Sequence, residues 1–344
     1  MSLDIKIFHQ SLPLAKVFRI SRGAKTSAEV IVVVVSDGHY LGWGEAVPYN
    51  RYGETIESVS QQLADVAKHI SSIDDHQRLP QWLGAGSARN ALDCALWDLA
   101  AKKQQKSVNN LIDLPLVDSC ITAQTISVGS ISAMCEEAKQ LQQAPLIKVK
   151  LDADSVLPKM QAIHAICPNS QFIIDANEAW DITLLKHIAE PLKACNVALI
   201  EQPLPADKDD ELLGFDSPIT LCADESCHGL EGLDELVGKY QAINIKLDKT
   251  GGLSEAVHLL QKAKSLDFEI MVGCMVGSSL AMAPAYTLCA FADFVDLDGP
   301  LLVAKDRSSK FRFDNGTMST IPASLWGMAA SDLIDPELLQ LSQS

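Results

Sequence analysis

The sequence predicts an α/β fold, a (β/α)8 barrel of the TIM type preceded by an N-terminal α+β domain. Three observations carry that prediction. After Pro115, short apolar segments recur with amphipathic stretches between them, the pattern of parallel strands joined by helices. There are eight such segments, the number that closes a barrel. Before Pro115 the order is different: strands come first and helices follow.

The N-terminal domain is assigned to residues 1–115. Leu3 to Phe8 and Glu29 to Ser36 are rich in β-formers, Asp37-Gly38 is a hairpin signal, and Tyr40 to Glu45 supplies the returning strand. Pro48 to Glu54 breaks the pattern with Pro, Gly and two tyrosines; composition leaves a lid over a pocket and a plain surface loop equally open. The period then becomes helical over Ile56 to Ile70 and Ala88 to Lys102. In the second stretch Leu92, Leu96 and Leu99 share a face, which reads as packing.

The barrel is assigned to residues 116–319. Its expected strands are Cys120 to Gln124, Leu146 to Lys150, Phe172 to Asp175, Val197 to Glu201, Ile219 to Asp224, Ala242 to Lys246, Glu269 to Gly273 and Phe294 to Asp298. Intervening stretches such as Ser132 to Gln142 and Ser254 to Ser265 have helical periodicity. The C-terminal segment, about 320–344, is expected to pack back on the first domain.

Composition narrows the function. A hydrophobic share of 47% and a charged share of 21% describe a globular protein with a large core. A net charge of −16, with no basic run, argues against nucleic acid as a partner. The longest early apolar run, Val30 to Val35, is too short to span a bilayer. The first residues lack the basic and apolar regions of a secretory signal. Nine cysteines without a Cys-x-x-Cys pair read as reduced thiols, so a cytoplasmic location is expected. A homo-oligomer is an expectation from fold analogy alone.

The chemistry gathers at the C-terminal strand ends. Lys150, Asp175, Glu201, Asp224 and Lys246 follow one another at 25, 26, 23 and 22 residues, one strand-helix unit each, and Asp298 lies two units further on. In this fold such ends converge on one pocket. Asp175, Glu201 and Asp224, on neighbouring strands, offer three hard oxygen ligands suited to Mg2+, with Mn2+ also accepted. Any one of them alone is more often a solvated strand end; three in register on adjacent strands make the metal reading the stronger one. Asn177, Glu225 and Asp248 lie just beyond and are candidates to support the ligands and bases.

Lys148 and Lys150 point to the same side of strand two, facing Lys246 across the barrel. Opposed bases around a cation suit proton abstraction next to a carboxylate, one lysine per face, and Lys148 would lower the pKa of Lys150 by like-charge repulsion. The plain structural reading is a barrel held by Lys–carboxylate ion pairs.

Lys148-Val149-Lys150, Ile173 to Asn177, Glu201-Gln202-Pro203, Ala223 to Ser226 and Asn244 to Gly252 resemble the enolase superfamily, and the two-lysine arrangement resembles its muconate-lactonising subgroup. The resemblance covers nearly the whole chain. It implies that the N-terminal domain caps the barrel, and that Lys150 and Lys246 exchange a proton through a metal-bound enediolate. Asp296-Leu297-Asp298 is similar to the Asp-x-Asp motif of dipeptide epimerases, whose carboxylates hold the substrate's α-ammonium. Thr122 to Thr125, Pro48 to Glu54 and Cys222 to His228 are similar to stretches of epimerases acting on L-Ala-D/L-Glu.

The resemblance therefore implies epimerisation of a small dipeptide at the α-carbon of its C-terminal residue, within cell-wall peptide metabolism. Thr125, Asp296 and Asp298 would bind the substrate. A family arginine for the glutamate side chain stands here as Lys25, with Arg22 nearby; Lys25 keeps the charge without the bidentate fork and is equally readable as a solvated loop residue. Rival readings are a cycloisomerase or o-succinylbenzoate synthase of the same subgroup, for which Asp296 and Asp298 are dispensable, and a non-catalytic binding barrel, which needs no opposed bases.

Overall fold

The structure is a computed structural model that describes residues 3–329 and 335–343. Residues 1–2, 330–334 and 344 lie outside the described residues, including part of the expected C-terminal return and of the leader reading.

The N-terminal sheet is antiparallel in the order β1 (Asp4–Ile20), β2 (Gly23–Ser36) and β3 (Leu41–Ala46). The first two strands run much further than the expected Leu3 to Phe8 and Glu29 to Ser36. In the outer half of β1, Leu12, Leu14, Phe18 and Ile20 are half-buried, but the exposed run Ala15 to Val17 interrupts their alternation and hides the strand from a period-two reading. The register slips between Pro13 and Phe18, and the hairpin tip falls at Ser21-Arg22. At Asp37-Gly38 the side chain of Asp37 accepts from the His39 and Tyr40 amides at 3.0 and 2.9 Å, closing the expected turn.

Helix Ser87–Gln104 lies on this sheet, with Leu92, Leu96 and Leu99 packed against Ile31, Val33 and Val35. The approach is backbone to backbone: a Cβ at Gly42 or Gly44 would stand 2.1 Å from Ala95 O or 2.0 Å from Ala91 O. Nearly every residue of this helix is buried, because its other side meets the barrel.

The barrel sheet runs β5 (Gln124–Ile126), β6 (Leu146–Lys150), β7 (Gln171–Asp175), β8 (Val197–Glu201), β9 (Thr220–Ala223), β10 (Ala242–Ile245), β11 (Glu269–Gly273) and β12 (Phe294–Asp296), each pair parallel. The amide of Ala123 donates to Val295 O at 2.8 Å, bridging the two edges of the sheet. The expected first strand, Cys120 to Gln124, is split. Ser119–Ile121 forms β4, which pairs antiparallel with Thr317–Ser319 in a small outer sheet. Thr122, whose hydroxyl accepts from Leu297 N at 2.9 Å, is where the chain crosses into the barrel. A short apolar run does not say which of two sheets it joins.

The inward face of β6 reads Leu146, Lys148, Lys150. Leu146 packs with Ile173, Leu199, Cys222, Ala242 and Met271 as an apolar floor, and the lysines stand above it. The described part of the C-terminal segment returns to the first domain: Trp326 Nε1 donates to Cys94 O at 3.0 Å and Gly327 N to Asp98 Oδ1 at 2.7 Å. Among the described residues no helix is long and apolar enough to cross a membrane.

Candidate active site

Parallel pairing sets Lys150, Asp175 and Glu201 side by side at the ends of β6, β7 and β8. Asp224 and Lys246 stand one residue past β9 and β10. Lys150, Asp224 and Lys246 border a cavity of about 860 Å³ that both domains line, while Asp175 and Glu201 are buried behind their lysine partners. The barrel contributes Lys148, Lys150, Asp224, Lys246, Asp296 and Asp298; the N-terminal domain contributes Arg22, Lys25, Tyr49 and Tyr52. Pro48 to Glu54, open between lid and surface loop, thus forms part of the cavity wall.

Within the site, lysines and carboxylates neutralise one another. Lys150 bonds Asp175 Oδ2, and Lys148 lies 3.1 Å from the same oxygen. Lys148 also bonds Asp296 Oδ2 at 2.7 Å and stands 2.5 Å from Glu201 Oε2, off the line that a hydrogen bond requires. Lys246 bonds Asp224 Oδ2 at 2.7 Å and is 3.6 Å from Glu201 Oε1.

These contacts move the pKa values in opposite directions. Burial favours the neutral forms of Asp175 and Asp224, but the lysines beside them outweigh it and hold both carboxyls below the usual range. Glu201 is buried and feels the Asp175 charge, which together push it up to about 7. Burial likewise works against the ammonium forms of Lys148 and Lys246. Their carboxylate neighbours win, and both sit well above the ordinary lysine value. Lys148 is therefore neutralised chiefly by three carboxylates, a larger effect on it than its charged neighbour Lys150.

The donor set fits a hard divalent cation in its chemistry. Three carboxylates stand on adjacent strands and share the ammonium groups of Lys148 and Lys246, Glu201 Oε2 is buried without a hydrogen bond, and Asp175 and Asp224 each add to the proton affinity of Glu201. Among the described residues no three of them enclose an ion, because Asp175 and Asp224 are turned onto lysines. Asp175, Glu201 and Asp224 are the residues that would hold Mg2+.

The remaining candidates separate by partner. Asn177 donates its amide to Asp175 Oδ1 at 2.9 Å, and its side chain faces Glu225 Oε1 at 3.5 Å. Asp298 Oδ2 accepts from Thr125 N at 2.7 Å; burial, then the Asp296 charge, push its carboxyl up to about 7. Asp296 Oδ1 is buried without a partner among the described residues. Arg22 is committed to protein: it donates to Glu225 Oε1 at 2.6 Å, Asn177 O at 2.9 Å and Glu178 Oε2 at 3.1 Å. Lys25 lies on β2 over the Tyr49 ring at 5.2 Å, with no carboxylate partner among the described residues.

Asp248 departs from its expected place beside the base. Its carboxylate accepts from Val47 N at 3.0 Å and Asn90 Nδ2 at 2.8 Å, so it ties the barrel to the N-terminal domain. The turn after Lys246 directs it outward, toward helix Ser87–Gln104.

Sequence reasoning missed three supporting side chains. Lys249, fully enclosed, donates to Asp224 Oδ1 at 2.7 Å and to the carbonyls of Asp224 and Asn244 at 2.6 and 2.9 Å. Asn244 donates to Glu201 Oε1 at 2.8 Å. Gln202 Oε1 accepts from the amides of Asp224 and Ser226 at 2.9 and 3.1 Å. Asn244 was within reach, since period two puts it on the face that Lys246 continues.

A barrel carrying opposed lysines around three carboxylates, under a separate α+β cap, defines a class of acid–base enzyme fold. Known families agree with that class. The N-terminal domain of mandelate racemase / muconate lactonizing enzyme matches residues 2–113, and the enolase C-terminal domain-like family matches residues 132–320. The chain belongs to the enolase superfamily, in its mandelate racemase/muconate-lactonising branch. It is 49% identical over 302 residues to an N-acetyl-D-glutamate racemase of Pseudoalteromonas sp, covering 87% of this chain and 96% of that one. It is 42% identical over 316 residues to an L-Ala-D/L-Glu epimerase of Escherichia coli (strain K12), covering 91% and 98%. An enolase family member from Agrobacterium tumefaciens with homology to dipeptide epimerases, solved with sodium and L-Ala-L-Glu, superposes with a TM-score of 0.91 at 40% identity, covering 94% of this chain and 100% of that one.

Proposed function

We propose that this chain is an isomerase that inverts the α-carbon of the glutamate in L-Ala-D/L-Glu by two-base 1,1-proton transfer. The observation that carries the reading is the pair Lys150 and Lys246, set on strands two and six of one barrel and lining one cavity. One lysine takes the α-proton, the other returns a proton to the opposite face, and the roles reverse for the other epimer. Asp224 and Glu201 beside Lys246 favour its ammonium form when no cation is bound. Mg2+ bound by Asp175, Glu201 and Asp224 would supply positive charge to the substrate carboxylate and ease loss of the proton. Asp298, with Thr125, would take the α-ammonium, and Lys25 the glutamate side chain.

A second reading has its own support. L-Ala-Glu is an N-acyl glutamate, and so is N-acetylglutamate, the substrate type named for the Pseudoalteromonas relative. Asp296 is already paired with Lys148 at 2.7 Å, which leaves less free carboxylate for an ammonium than the Asp-x-Asp motif alone implies. Nine free cysteines support a reducing, cytoplasmic setting, and turnover of cell-wall peptides is the role that fits the dipeptide.

Incubation with Mg2+ in D2O, followed by proton NMR, tests both substrates. The expected result is loss of the glutamate α-proton of L-Ala-L-Glu and appearance of L-Ala-D-Glu, both abolished by a chelator. Lys150→Ala and Lys246→Ala should each stop epimerisation while one epimer at most still exchanges. Exchange of both epimers by either variant would sink the two-base scheme. Turnover of N-acetylglutamate with none of the dipeptide would select the second reading.

A further inference from the structure

Glu178 stands three residues past Asp175 and belongs to neither the ligands nor the bases. Its backbone and that of Asn177 are left-handed, φ 67 and 46, a conformation uncommon outside glycine. The Glu178 amide is held by Gln202 O at 2.9 Å. The carboxylate of this tight turn accepts four donors. Oε1 takes Arg51 Nη2 at 2.9 Å and Ala206 N at 3.1 Å; Oε2 takes Arg51 Nε and Arg22 Nη1, each at 3.1 Å.

Arg22 is the tip of the β1–β2 hairpin, and Arg51 lies in the turn Asn50–Tyr52. One barrel carboxylate thus anchors two separate segments of the N-terminal domain. Those segments carry the upper cavity wall: Lys25 over Tyr49, and Tyr49 edge-on to Tyr52 with ring centroids 5.3 Å apart. Two guanidinium ions this close repel one another, and Glu178 supplies the negative charge between them. Arg22 has Glu225 as a second anchor at 2.6 Å; no second carboxylate is paired with Arg51 among the described residues.

We propose that Glu178 is a positioning residue: it holds the hairpin tip and the Asn50–Tyr52 turn where Lys25, Tyr49 and Tyr52 wall the cavity, setting substrate affinity without entering the proton transfer. The proposal rests on the cavity being the substrate pocket. It also orders the two segments, since Arg22 keeps Glu225 when Glu178 is lost and Arg51 keeps no carboxylate among the described residues. Loss of the Glu178 charge should free residues 49–53 more than residues 20–24.

Amide hydrogen exchange on the full chain without substrate tests this directly. Glu178→Gln should speed exchange several-fold at 49–53, less at 20–24, and leave the barrel strands unchanged. Arg51→Met, at a half-exposed side chain with no part in the core, should reproduce the change at 49–53. In turnover, both variants should raise KM for L-Ala-L-Glu about tenfold with kcat within twofold, and the double variant should be no worse than Glu178→Gln. Unchanged exchange at 49–53 in both single variants would overturn the proposal, as would kcat falling in place of a KM change, or additive losses in the double variant. Exchange needs no turnover. A wild type inactive on L-Ala-L-Glu would therefore count against the assigned reaction, and in that case the exchange result decides the anchoring role.

Discussion

Replacing Lys249 by methionine keeps the length of the side chain and removes its charge and all three of its bonds. Asp224 would retain Lys246 at 2.7 Å but lose its second cation, and two buried carbonyls, of Asp224 and Asn244, would lose a donor. Removing one partner of a buried ion pair costs about 3–5 kcal/mol, because the charge left behind stays desolvated. A folded chain is typically stable by only about 5–15 kcal/mol, so Lys249→Met should unfold at distinctly lower urea. The assay is urea unfolding followed by circular dichroism, with a chelator present so that no cation substitutes for the lost ammonium. Asp224→Asn added to Lys249→Met should recover nothing, because it takes from buried Lys246 the carboxylate bonded to it at 2.7 Å and leaves only Glu201 at 3.6 Å. Stability of Lys249→Met within about 1 kcal/mol of wild type, or a double variant more stable than the single, would refute the reasoning.

Two further outcomes are expected. Lys25→Met should raise KM for L-Ala-L-Glu about tenfold, the equivalent of one charge-assisted contact of about 1.4 kcal/mol, and leave a dipeptide with an apolar C-terminal residue unaffected; equal losses on both substrates would remove Lys25 as the selector of acidic side chains. Burial raises the Asp248 carboxyl from 3.8 to about 7, so the folded state binds its proton more tightly than the unfolded state. Stability should therefore fall as pH rises across that window, by up to about 1.4 kcal/mol per pH unit from this group, and Asp248→Asn should make the curve shallower without flattening it, since Asp298 and Glu201 are raised in the same sense. An unchanged slope in thermal melts from pH 4 to 7 would contradict this account.

What the sequence made legible was whatever repeats along the chain. Strand ends one unit apart gave the candidate ligand and base positions, since parallel pairing converts a near-constant spacing into adjacency, as between Lys150, Asp175 and Glu201. Strand limits were less legible wherever a segment had two partners available. Ser119–Ile121 is as apolar as a barrel strand, yet it joins the outer sheet, and only the bonds at Thr122 and Ala123 mark the crossing. The outer half of the hairpin was hidden by the exposed run Ala15 to Val17, which breaks the alternation of Leu12, Leu14, Phe18 and Ile20, although its tip delivers Arg22 to the site.

Contacts between units distant in the chain were not legible, and they decide what several charged groups do. Period two places Lys148 beside Lys150, and sequence alone stops there. The β5–β12 edge then brings Asp296 to 2.7 Å from Lys148, so one aspartate of the motif assigned to an ammonium is occupied by the protein's own ammonium. That coupling links the lysine pair to substrate choice. On the proposed reading, a substrate cation would compete with Lys148 for Asp296 and a neutral N-acyl group would not, so the choice between a dipeptide and a simpler N-acyl glutamate would turn on the Lys148–Asp296 contact as much as on Asp298.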